Sequence, residues 1–159
     1  MGFFSRLFGR PSKPPRVLHE KADGFSYDPP ATWNVAEFPG LKNRVSYGPS
    51  QGGFAPNINV VVEAFSGSLA EYVDASFQTA ENTLEEFNIL EHEDLQTEDG
   101  QPGVRVIAVK MQQGALLRQT FYFFGEGGQK YVATCTARAE GGEALDVVFA
   151  KSMKTFRIH

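Results

Sequence analysis

Three histidines, one cysteine and a run of carboxylates are the side chains here whose types could support chemistry. His19, His92 and His159 are the only imidazoles. No two of them stand three or four residues apart, so the spacing that aims two ring nitrogens at one metal is missing. Cys135 is the only thiol, which excludes a disulfide and a thiolate-rich metal centre. It shares its strand alternation with Ala133 and Ala137, a setting in which a thiol is small apolar filler rather than a nucleophile. Glu91-His92-Glu93-Asp94 and Glu98-Asp99 offer oxygens to a hard cation but lack the glycine-interrupted loop spacing that points them at one centre. They read as the solvated edge of a sheet. No nucleophile elbow, P-loop or dinucleotide fingerprint is expected, and the glycines of Gly125-Glu-Gly-Gly128 fall between two strands with no helix following, as in a hairpin loop. The reading therefore assigns no catalytic residue, no metal ligand and no cofactor.

The elements that would position any site follow from composition and patterning. With 159 residues, 42% hydrophobic and 21% charged, and with 14 phenylalanines, the chain is expected to form one globular domain. Charge is uneven. Residues 1–21 hold Arg6, Arg10, Lys13, Arg16 and Lys21 against Glu20, +4, and the remainder holds 10 basic against 18 acidic residues, −8. A body this acidic repels phosphate, so nucleic acid is not expected as a partner. No apolar run approaches the roughly 18 residues of a membrane span. No secretory signal or myristoylation pattern is matched, so a cytoplasmic protein is expected.

The first ten residues carry a different signal. Phe3, Phe4, Leu7 and Phe8 fall on one helical face, flanked by Arg6 and Arg10, the pattern of a short amphipathic anchor. Buried at an interface, such residues fold as they bind, and each basic residue near anionic lipid adds about 1 kcal/mol. These six residues are the candidate membrane- or partner-binding set. Residues 11–22, with Pro11, Pro14 and Pro15, read as a semi-rigid linker, and 23–159 as the domain.

Within the domain, Phe25–Tyr27 and Trp33–Phe38 bracket Asp28-Pro-Pro30 and are expected to form a hairpin. A strand is expected at Arg44–Gly48, a mobile loop at Pro49–Pro56 and a long strand from Ile58 to Phe65. Ser68 and Glu71 form a capping box. Leu69, Tyr72, Val73, Phe77, Ala80 and Leu84 then recur at helical spacing, with Glu81 and Glu85 on the outer face. Four strands follow, at Asn88–Thr97, Val104–Met111, Leu116–Phe124 and Lys130–Arg138, joined by turns at Asp99-Gly100, Gln113-Gly114 and Gly125–Gly128. Val104–Met111 is apolar on both faces and is expected to be central. Leu145, Val148, Phe149, Met153 and Phe156 mark a closing helix. Phe54 and the run Phe121–Phe124 are the aromatics that would be exposed if helices did not cover them. A sheet between two helices accounts for the run without a partner.

This ordered set resembles the PsbP-like superfamily, and its bacterial DcrB-like branch in style. The residues that carry the resemblance are Phe25-Ser-Tyr-Asp-Pro-Pro-Ala-Thr-Trp33, the strand 57–65, the helix 68–84, the strand Val104–Met111, Arg118–Phe124 leading into Lys130–Thr134, and Lys151-Ser-Met-Lys-Thr-Phe156. The resemblance implies an α+β fold, an antiparallel sheet flanked by helices in an α/β/α sandwich, and binding rather than catalysis. The expected function is a non-enzymatic protein-interaction module, held by its first ten residues at the inner face of a membrane or against a membrane-protein partner. The alternatives are a cytoplasmic chaperone-like protein that shields an apolar helix of a client, and a small-ligand or enzyme domain that uses the concavity between sheet and helix. The protein partner is unidentified, and oligomeric state is not legible in these residues.

Overall fold

The computed structural model describes residues 17–83 and 87–159, with side chains for all of these except 80–83. Phe3, Phe4, Arg6, Leu7, Phe8 and Arg10, the linker residues 11–16, and Leu84 and Glu85 lie outside the described residues, as do the side chains of Ala80 and Glu81.

Seven strands form the main antiparallel sheet in the order β3-β4-β5-β9-β8-β7-β6. They are β3 (Asn34–Ala36), β4 (Val45–Tyr47), β5 (Asn57–Ala64), β6 (Asn88–Gln96), β7 (Pro102–Gln112), β8 (Ala115–Phe124) and β9 (Gln129–Arg138). The run β6 to β9 is the expected meander, because each connection is short and glycine-bearing. At the last of them Gly125 takes φ 109°, and a Cβ there would lie 2.3 Å from the Gln129 carbonyl oxygen, so only glycine fits. β5 and β9 pair over eight residues, from Asn57↔Thr136 to Ala64↔Gln129. This ladder joins the N-terminal strands to the meander. A second sheet of three short strands, β1 (Leu18–Glu20), β2 (Phe25–Tyr27) and β10 (Arg157–Ile158), has the order β1-β2-β10.

Helix α1 (Leu69–Thr83) covers one face of the main sheet. Its capping box forms as expected: the Glu71 amide donates to Ser68 Oγ at 3.1 Å, and the Ser68 amide to Glu71 Oε1 at 3.3 Å. Tyr72, Val73 and Phe77 are buried against Val104, Val106 and Phe123. Helix α2 (Asp146–Met153), entered through a 3-10 turn at Glu143–Leu145, lies over the other face. There Trp33, Tyr122, Phe124, Phe149, Met153 and Phe156 form the larger core with Leu18, Phe25 and Ile58. Arg118 fixes the start of α2 by donating from Nε and Nη2 to Asp146 at 3.0 and 2.6 Å. The four successive aromatics thus split by alternation. Phe121 and Phe123 pack edge-on to Phe77, while Phe124 stacks on Phe156 at 4.5 Å.

Three expectations change. Phe25–Tyr27 and Asn34–Ala36 are not a hairpin. β2 pairs with β1 and β10, and β3 with β4, so Asp28-Pro-Pro30 is a crossover between sheets. The folded body begins before residue 23, since Leu18 is fully buried and β1 pairs with β2; the linker ends ahead of Leu18. β7 is next to the edge and β9 is the middle strand. β7 is buried from Gly103 to Ala108 except at Arg105, but emerges to an exposed Met111, because the strand outruns the helices above and below it.

Candidate functional site

The main sheet is wider than the helix that covers its α1 face. Seven strands span about 30 Å, whereas one helix is about 10 Å across. α1 contacts β7, β8 and the start of β9 and meets the far end of β5, where Tyr72 donates to Glu63; β3, β4 and the first half of β5 lie beyond it. Their period-2 alternation sends Ile58, Val60 and Val62 into the α2-side core and leaves Asn57, Asn59, Val61 and Glu63 on the α1 side. The partners across the ladder are Thr136, Thr134, Val132 and Lys130.

The result is a groove with an apolar rim and a polar floor that is uncharged at Asn57 and Asn59 and carries Glu63 and Lys110 at its inner end. At its outer end Phe38, Leu41, Val45, Tyr47, Ala55, Asn57 and Asn59 enclose an open hollow of about 460 Å³. Phe38 and Tyr47 meet edge to face at 5.9 Å. At its inner end Val61, Tyr72, Phe87, Lys110, Gln119 and Phe121 line a second hollow of about 360 Å³ under the flank of α1. A shallower one joins the two through Leu41, Asn59 and Val61, with Asp23 on its border. Phe38, Leu41 and Val61 are 43%, 45% and 48% exposed, more than isolated surface apolars need to be when they lie together. Gln119 donates to Thr136 Oγ1 at 3.2 Å, and Asn57 donates to the Ala55 carbonyl at 3.1 Å.

Glu63, Lys130 and Asp23 around the groove are already engaged. Tyr72 donates to Glu63, and burial followed by this bond pushes the phenol above its usual range. Lys130 is fully buried, and its ammonium donates to the carbonyls of Phe65 and Gly127, closing the end of β9. Burial opposes ionisation of Asp23, but the hydrogen bonds from Lys42 and Asn43 outweigh it and hold the carboxyl below its usual range. Among the described residues, the groove lining holds no histidine, no cysteine and no close carboxylate pair.

The residues singled out in the sequence are scattered. Cys135 is fully buried on the α2 side, and burial pushes its thiol well up, consistent with filler. His92, Glu91, Glu93 and Asp94 are exposed on edge strand β6, where Glu91 and Glu93 pair with Arg105. His19 and His159 are brought together, ring centroids 4.7 Å apart, and His159 Nε2 meets Ser26 Oγ at 2.7 Å. No group of three metal-capable side chains forms among the described residues. Phe54 is half-buried, and its backbone bonds reciprocally with Gln51 across Gly52-Gly53, so the segment expected to be a loose loop contains a tight turn. Gly48-Pro-Ser-Gln-Gly52 has the letters of a nucleophile elbow, contrary to the expectation that none occurs. It links β4 to β5 with no helix after it, and Ser50 is exposed, so the strand-to-helix context that activates such a serine is missing. Sequence reasoning missed the groove. Its one local signal is Val61, an apolar residue on the alternation that otherwise carries Asn57, Asn59 and Glu63.

This antiparallel α+β arrangement matches solved structures with the PsbP-like fold. The chain superposes on the cyanobacterial PsbP protein CyanoP of Synechocystis sp. PCC 6803 with a TM-score of 0.67, at 11% identity over 95% of this chain and 96% of that one. LpqN of Mycobacterium tuberculosis, involved in cell envelope biogenesis, gives 0.63 at 14% identity over 89% and 88%. PA94 of Pseudomonas aeruginosa, described as a putative regulator, gives 0.62 at 15% over 77% and 94%. The chain has the PsbP-like fold. No protein-family model and no curated protein matches it.

Proposed function

We propose that this chain is a non-enzymatic protein-interaction module that receives an amphipathic or apolar helix of a protein partner on the helix-free half of its main sheet. The observation that carries the reading is the exposed apolar rim of Phe38, Leu41 and Val61 along adjoining hollows on one face of the sheet. The three uncovered strands have about 14 Å of width, room for one helix beside α1. Helix-in-groove recognition needs apolar pockets at that spacing and a polar surround. A chaperone-like role toward an apolar client helix, a placement near the DcrB-like branch and a cytoplasmic location belong to the same proposal. It is tested by photocrosslinking in cells from a benzoylphenylalanine at Val61, with Val147 on the opposite side as control. A discrete adduct from position 61 alone, lost in Leu41→Asp, supports the reading; equal adducts from both positions overturn it.

A second reading concerns the first ten residues. Phe3, Phe4, Leu7 and Phe8 with Arg6 and Arg10 support peripheral attachment to an anionic membrane. No helix among the described residues is long and apolar enough to cross a membrane. In liposome flotation, Phe4→Asp with Phe8→Asp should abolish recovery with anionic vesicles without moving the melting temperature; unchanged recovery sinks the idea.

A further inference from the structure

The groove lies within reach of a segment that has the chemistry it asks for. Residues 1–16 carry Arg6, Arg10, Lys13 and Arg16 and no acid, +4, against 11 basic and 19 acidic residues in the rest, −8. The groove lining itself is balanced, Asp23 and Glu63 against Lys42 and Lys110, so the attraction on the basic segment comes from the acidic body as a whole. The described chain starts at Val17, one residue before β1, and Asp23, just beyond β1, borders the hollow formed with Leu41 and Val61. Six residues separate Val17 from Asp23, at most about 20 Å. Eight residues, the length of 9–16, can reach about 25 Å. The four apolar residues ahead of that spacer can therefore reach Leu41, Val45, Tyr47 and Val61 without any change in the folded body. A tether of this length also gives the segment an effective concentration in the millimolar range, ahead of most free partners.

We propose that in the free protein the groove is occupied by residues 3–8 of its own chain, with Phe3, Phe4, Leu7 and Phe8 against Leu41, Val45, Tyr47 and Val61. This rests on the reading of the groove as a helix receptor and adds its first occupant. The same four side chains are the ones that would enter a membrane, so binding an anionic surface withdraws them and opens the groove. Membrane and partner binding are then coupled with positive sign, because both are incompatible with the self-bound state.

The experiment uses the full chain with Ser5→Cys carrying a nitroxide. Cys135 is fully buried and its thiol is pushed up, so the label goes to position 5 alone. Selective broadening of the Leu41, Val45 and Val61 methyl signals, with Val147 and Val148 spared, is the expected result. At Val45, the one of the three reporters left in Leu41→Asp with Val61→Asp, it should vanish in that variant, and at all three it should vanish on adding vesicles of anionic phospholipid. Uniform broadening, or none at the groove, overturns the proposal. So does broadening that persists when the nitroxide and the isotope label are on different molecules, which would make the occupant a second copy. Phe4→Asp with Phe8→Asp should raise the photocrosslinking yield from Val61 severalfold, and a fall would overturn self-occupancy. If the broadening is absent while the Val61 adduct remains, self-occupancy fails and the receptor reading stands.

Discussion

Gly48 is glycine because Trp33 fills the place of its side chain: a Cβ there would lie 2.6 Å from the indole Cε2. Trp33 is buried and meets Phe149 edge-on at 6.0 Å, so the ring has nowhere to retreat. Gly48→Ala should cost about 1–3 kcal/mol by overpacking, read as a lower denaturant midpoint with unchanged slope. Asp23 makes a pH-dependent contribution. Its folded carboxyl titrates below the unfolded value, so the stabilisation is complete above about pH 5 and is lost as pH falls through the folded value, below about pH 4. Asp23→Asn should lower Tm at pH 7, with the gap to wild type narrowing as pH falls below the usual carboxylate range; a gap that widens on acidification would contradict this. Single residues were partly legible in sequence. Cys135 as filler followed from its apolar neighbours on alternate positions. The contact of Gly48 with Trp33 did not, because the two residues lie on neighbouring strands and no local pattern records their approach.

The elements divide by length. α1 was legible because a capping box and three turns of apolar spacing agree, and β6 to β9 because each is long, alternates and ends in a glycine-bearing turn. β1, β2 and β3 are three residues each, too short for alternation to say which sheet they join, and Asp28-Pro-Pro30 reads equally as a turn or a crossover. Edge and centre were likewise hidden: β7 looks central by composition, but strand order depends on β5 crossing back to pair with β9. The groove was illegible for a related reason. It exists because the sheet is wider than α1, and width is a count of strands known only after they pair. At this scale Ser68→Ala should destabilise by about 1 kcal/mol, since it removes one half of the reciprocal cap. The loss should show first as faster amide exchange in the first turn of α1, and uniform acceleration across the sheet would argue against it.

In the whole molecule the two faces share one sheet, so they should unfold together. Trp33 is the only tryptophan and reports the α2-side core, whereas the far-ultraviolet signal near 222 nm reports chiefly α1. Coincident urea midpoints are expected from the two probes, and separated midpoints would show that the layers come apart independently. The eight-residue pairing of β5 with β9 also orders events during synthesis. β3, β4 and β5 are made early, yet β5 has no second neighbour until residues 129–136 have left the ribosome. For the 72 residues of translation from 65 to 136, about 4–14 s at 5–20 residues per second, the nascent chain carries an unpaired edge with Val60, Val61 and Val62 in it. Such an exposed strand is an aggregation hazard. A trigger-type chaperone at the exit tunnel would find its main client interval there, before the last long strand arrives.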